Sequence, residues 1–160
     1  MRVLEVPDDG WLRGHGFLGS ISPIDAMSAT PSTWSPTDDC VCRLQPRENH
    51  ERGLPLATLA FTNRAMLLDR VYGIRERLFH DPYYQRHIIS NPIVRRATSD
   101  QWECEANYAI FRTKLSDTTP VFNVGRSFDS IVRADGCLRF SRRECIYDRE
   151  MIPNAIIYQV

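Results

Sequence analysis

The sequence predicts an α+β domain in which one amphipathic helix packs on a face of an antiparallel sheet. Leu67, Val71, Ile74 and Leu78 recur at spacings of four, three and four, one apolar stripe of a helix. Trp102, Cys104, Ala106, Tyr108 and Ile110 alternate with Glu103, Glu105 and Asn107, the period of a half-buried strand. Asp135-Gly136 supplies a hairpin turn, because both residues tolerate positive φ. A helix followed by strands joined through tight turns is the α+β order.

Taken in order, residues 1–36 form an irregular leader. Gly10, Gly14, Gly16 and Gly19, then Pro23, Pro31 and Pro36 among serines and threonines, interrupt any periodicity. Few apolar residues there offset the cost of ordering the chain, so the spacing predicts a loosely held segment. A single domain spans 37–160. It opens near Asp38 with a short strand through Leu44, stopped by Pro46, and residues 45–57 read as a charged loop and return. The helix is expected from Asn63 to Phe79, with Thr62 or Asn63 capping its first turn. Pro82 lacks an N–H and biases Asp81 away from helical geometry, so the helix must end before it.

Strands follow. Gln85–Ala97 carries Ile88, Ile89, Ile93 and Val94 around Asn91-Pro92, which suggests a bulge or an edge position. After the strand at 102–110 comes a polar turn, Leu115–Pro120. Phe122, Val124, Phe128 and Val132 then lie on one strand, with Gly125 placed for a bend. Cys137–Tyr147 is the last long strand, and Ala155–Tyr158 a short apolar tail.

Composition excludes several functions. With 20 basic and 20 acidic residues the formal net charge is zero, so no bulk field draws the chain to nucleic acid or membrane. No apolar run approaches a membrane span, and Pro7, Asp8 and Asp9 sit where a signal peptide needs an apolar core. Five cysteines without a regular framework suit reduced thiols in the cytoplasm. Lys114 is the sole lysine; arginine suits carboxylate pairing at interfaces, and a GC-rich genome gives the same bias.

Candidate chemistry is sparse. Cys40 and Cys42 invite a metal, but no second ligand pair follows at close spacing, and residues two apart on a strand simply share a face. His80, Asp81 and His87 hold the ingredients of a two-histidine, one-carboxylate iron site, yet His80 and Asp81 straddle a helix end and diverge. Asp81 before Pro82 is more simply a turn residue, and His87 a sheet histidine. Asp38, Asp39, His87 or Asp129 could serve as a pocket base, with Tyr83, Tyr84 or Tyr108 polarising a substrate, but nothing marks any of them as desolvated. There is no phosphate loop, nucleophile elbow or basic-aromatic ladder. The residues therefore predict no catalytic, cofactor-binding or metal site.

Three stretches carry a resemblance: Arg43–Leu56; Asp69–Glu76 running into His80–Ile88; and Tyr147–Asn154. Together they resemble the small (beta) subunits of Rieske-type aromatic-ring-hydroxylating oxygenases, over about Thr37 to Val160. The resemblance implies a cone-shaped fold like that of ketosteroid isomerase and scytalone dehydratase, with a curved antiparallel sheet against helices. It implies a non-catalytic, structural subunit in a trimer of large-small pairs. The large (alpha) subunit would hold the Rieske iron-sulfur cluster and the mononuclear iron, with ferredoxin and reductase acting indirectly. The implied reaction is hydroxylation of a monocyclic aromatic acid such as salicylate. A stand-alone isomerase or dehydratase of this fold, or a small-ligand binding module, is the alternative. Residues 1–36 depart from the family's helical opening; only Trp34 and Asp38-Asp39 match it, and Cys42 stands where an aromatic is common.

Tyr83-Tyr84-Gln85-Arg86 combines aromatic area with an arginine fork, a composition enriched at protein contacts. Arg47, Tyr83, Tyr84 and Arg86 are accordingly expected to touch a large subunit or a neighbouring protomer, although polar loops of this kind are as often merely solvated.

Overall fold

The computed structural model describes residues 36–77, 83–114, 117–150 and Ile156. The leader before Pro36, the joint at 78–82, residues 115–116 and the tail other than Ile156 lie outside them, as do the expectations that fall there. Seven strands and two helices follow in order: β1 (Pro36–Pro46), α1 (Arg47–Glu51), β2 (Leu59–Phe61), α2 (Arg64–Glu76), β3 (Tyr83–Ile89), β4 (Ile93–Ala97), β5 (Gln101–Lys114), β6 (Val121–Ala134) and β7 (Cys137–Tyr147). They build one open, curved sheet in the order β2-β1-β7-β6-β5-β3, with β4 also on β5. β3 and β4 thus form one interrupted edge, broken at Ser90–Pro92, where the sequence places Asn91-Pro92.

The helix begins where a side chain can satisfy it. Asn63 Oδ1 accepts from the backbone N–H of Met66 at 2.9 Å, relieving one orphan donor of the first turn. Leu67, Val71 and Ile74 are buried, as the stripe requires, and Leu67 packs on Cys40, Cys42 and Phe61. α2 therefore covers one face of the sheet, here the inner face. The register carries that face inward through Cys42, Arg143, Asp129, Cys104 and Val94, and through Leu44, Cys145, Ser127 and Ala106. Trp102, Cys104, Ala106, Tyr108 and Ile110 are all buried, as their alternation predicts. Asp135 and Gly136 both take positive φ, 52° and 74°, in the β6–β7 turn.

The sheet is not wholly antiparallel. β1 runs parallel to β7, from Val41 beside Arg142 to Pro46 beside Tyr147, a pairing between distant segments that no local pattern announces. Residues 45–57 also differ from the expected loop: β1 continues to Pro46, and α1 then folds back over the other, outer face. Gln45 explains the return, since its Nε2 donates to the carbonyls of Leu54 and Leu56 at 2.7 and 3.1 Å. Gln45 and its β7 neighbour Ile146 are both buried. β2 is a further strand the sequence did not reveal, three residues paired with β1. No helix among the described residues is long and apolar enough to cross a membrane.

Candidate interaction surface

The inner face carries buried polar side chains, Asn123, Ser127 and Asp129 among them. Its centre is an ion pair: Arg143 Nε donates to Asp129 Oδ1 at 2.7 Å and Nη2 to Oδ2 at 3.0 Å. Burial alone would favour neutral Arg143, but the charge and hydrogen bonds of Asp129 outweigh it and hold the guanidinium charged. Arg143 also lies 4.2 Å over the Phe140 ring. Both Asp129 oxygens face the fork, so this candidate base is committed to structure. Asp38 lies 3.7 Å from Arg64 at an exposed position, and Asp39 is exposed. His87 Nε2 lies 3.1 Å from Gln85 Nε2, an ordinary sheet contact. Burial pushes the Tyr108 phenol well above its usual range, so it stays protonated.

Thiols flank the pair. Burial raises Cys42 and Cys145 to about 12 and Cys104 to about 11. Protonated thiols are poor ligands and poor nucleophiles. A Rieske cluster needs two cysteines and two histidines. The described histidines do not join Cys40 and Cys42: His87 lies on β3, with β7, β6 and β5 between it and β1, and His50 stacks on Phe128 across the outer face, ring centroids 6.0 Å apart. His80 and Asp81 lie outside the described residues. Among the described residues no three His, Cys, Asp or Glu side chains gather as a metal site, so the donor set does not fit either iron centre.

The outer face is the part of the sheet least covered. Where α1 and its loop end, Tyr84, Ile88 and Ile93 stand 73, 60 and 51% exposed, all on this face by the strand period of two. Arg86 sits between Tyr84 and Ile88, exposed on the same face. Tyr83 turns the opposite way, with the Arg112 guanidinium 5.1 Å over its ring. Arg47 starts α1 beyond β1, with β7, β6 and β5 between it and β3, and pairs with Glu51 at 3.9 Å and Asp148 at 3.6 Å. Tyr84 and Arg86 are thus brought together; Tyr83 and Arg47 are not part of that patch.

Further along the outer face lies a cleft of about 270 Å³ lined by His50, Glu103, Phe128, Ser130, Arg142 and Glu144. Sequence reasoning missed it. The alternation of β5 put Glu103 and Glu105 outward, but only the β6 and β7 register, through Ser130 and Arg142, gathers the rest.

An open, curved sheet carrying a helix on its inner face defines the cone-shaped α+β class. A crystal structure assigned to a scytalone dehydratase of Novosphingobium aromaticivorans shares that fold, with a TM-score of 0.51 at 19% identity over 78% of this chain and 70% of that one. Within the class, the chain belongs to the ring hydroxylating beta subunit family, whose sequence pattern matches residues 38–154. The anthranilate 1,2-dioxygenase small subunit of Burkholderia cepacia is 29% identical over 116 residues, 72% of each chain. The terephthalate 1,2-dioxygenase terminal oxygenase component subunit beta 2 of a Comamonas species is 27% identical over 124 residues, 78% of this chain and 79% of that one. A crystal structure assigned as the beta subunit of an aromatic-ring-hydroxylating dioxygenase from Novosphingobium aromaticivorans aligns with a TM-score of 0.68 at 31% identity, covering 76% of each chain.

Proposed function

We propose that this chain is the non-catalytic, structural subunit of an oxygenase that hydroxylates a monocyclic aromatic acid, salicylate being one such substrate. The family match over residues 38–154 carries the reading. The named relatives act on anthranilate and terephthalate, both benzene rings bearing carboxylates, which supports an aromatic acid. The Rieske cluster and mononuclear iron then reside in the large subunit, fed by a reductase and ferredoxin, and the assembly is a cytoplasmic trimer of large-small pairs. The commitment of Asp129 to Arg143 supports a chain that does no chemistry of its own.

In this reading Tyr84 and Arg86 meet the large subunit or a neighbouring protomer across the outer face. Arg47 on α1 and Tyr83 on the opposite face of β3 meet a large subunit or a neighbouring protomer at positions separate from that patch. Co-expression with a tagged large subunit tests the reading: the two chains should co-purify, and the small chain isolated alone should hold no stoichiometric iron. Tyr84→Ala should weaken assembly by about 2 kcal/mol as a buried anchor, while folding stability stays unchanged. Unchanged assembly of both Tyr84→Ala and Arg86→Ala would remove these residues from the interface.

A further inference from the structure

Three carboxylates point outward from the centre of the sheet, and their partners differ. Glu105 is met by Arg95 at 2.8 Å and Arg126 at 3.8 Å, and Glu144 by Arg142 at 2.7 Å. Glu103 has no arginine, lysine or histidine within ion-pairing distance among the described residues. It accepts instead from two neutral donors, Ser130 Oγ on Oε2 and Gln101 Nε2 on Oε1, each at 2.8 Å.

That arrangement specifies a ligand. Each carboxylate oxygen accepts two hydrogen bonds, so one acceptor position on each oxygen of Glu103 remains free. A guanidinium can donate to both oxygens of one carboxylate at once through its planar fork, whereas an ammonium acts as a single point of charge. The cleft beside Glu103 is walled by the Phe128 and His50 rings, and low-dielectric walls strengthen the attraction between opposite charges. One strand over, Ile93 adds exposed apolar area next to Glu105.

We infer that the cleft at Glu103 receives an arginine side chain of the large subunit, making this outer face a docking surface with a charged anchor. The inference rests on the oxygenase-subunit reading and specifies which face the partner covers and with what chemistry. Charge complementarity selects the chemistry of the occupant: the lining carries two carboxylates, Glu103 and Glu144, against one guanidinium, Arg142, which Glu144 already holds at 2.7 Å.

The experiment measures the dissociation constant of the large-small complex for the wild type and for Glu103→Gln, which keeps the shape and removes the charge. The expected result is at least about tenfold weaker association for Glu103→Gln, with a flatter dependence on salt. Argininamide added to the wild-type complex at constant ionic strength should dissociate it further than sodium chloride does, a readout that needs no variant to fold. If the wild-type complex forms but neither Glu103→Gln nor argininamide weakens it, the inference falls and the subunit reading stands. If the wild type binds no large subunit, both fall.

Discussion

Asp129 and Arg143 meet as a forked pair in the rung between β6 and β7, with Cys104 beyond one and Cys42 beyond the other. Both side chains face the inner, helix-covered side of the sheet. Removing one partner strands the other's charge away from water. Asp129→Ala and Arg143→Ala should therefore each lower unfolding free energy by about 3–5 kcal/mol, measured by urea denaturation. Replacing both together, Asp129→Leu with Arg143→Met, should cost much less than the sum of the singles. Additive losses would show that the two side chains act independently.

Gly125 is held by contact, not by its φ. A Cβ built there would strike the carbonyl oxygen of Ile146 and come within 2.8 Å of the Tyr108 hydroxyl. Gly125→Ala should destabilise by about 1–3 kcal/mol, as overpacking does, and adding Tyr108→Phe should not rescue it, because the nearest obstacle is backbone. Thermal unfolding of the single and double variants checks both expectations.

At the start of α2, Asn63→Ala should cost about 1 kcal/mol through loss of the bond from the Met66 N–H, while Asn63→Asp should retain most of it. Equal losses in the two variants would assign Asn63 a role other than capping.

The thiols give a pH test. Cys137 is exposed, whereas Cys40, Cys42, Cys104 and Cys145 are buried. At pH 8 a maleimide should label Cys137 in the folded protein and reach those four only after unfolding. Burial raises Cys42 and Cys145 from 9.0 to about 12, so their folded forms hold protons that the unfolded chain releases first. Their contribution to stability is full below pH 9 and declines as pH rises toward 12. Cys42→Ser and Cys145→Ser should each flatten that alkaline decline.

Much of the fold was legible because it is written in local periodicity. Leu67, Val71 and Ile74 fix the buried side of α2, residues 102–110 fix the faces of β5, and Asp135-Gly136 fixes the final hairpin. Pairings between distant segments were not legible: β1 against β7 and β2 against β1 depend on register across the whole sheet. β6 also hid its inner face. Asn123, Ser127 and Asp129 are polar and look solvent-facing in sequence, yet all three are buried, while Val124, Phe128 and Val132 on the opposite face are only partly covered. Asp129 is stable inside because Arg143, fourteen residues later, reaches it. Of the residues singled out for an interface, the strand period joins Tyr84 to Arg86, but the same period turns Tyr83 inward, and the strand order separates Arg47. Glu103 was visible only as an outward residue of an alternating strand, since its cleft is assembled from three strands and α1.

The most direct measurement is the native mass and iron content of the species formed when this chain is expressed together with its large subunit. A subunit of the proposed kind gives a hetero-oligomer containing equal numbers of the two chains, with iron in proportion to the large chain and none in the small chain once separated. A small chain that stays unassociated, or that carries iron or converts an aromatic acid alone, would contradict the account.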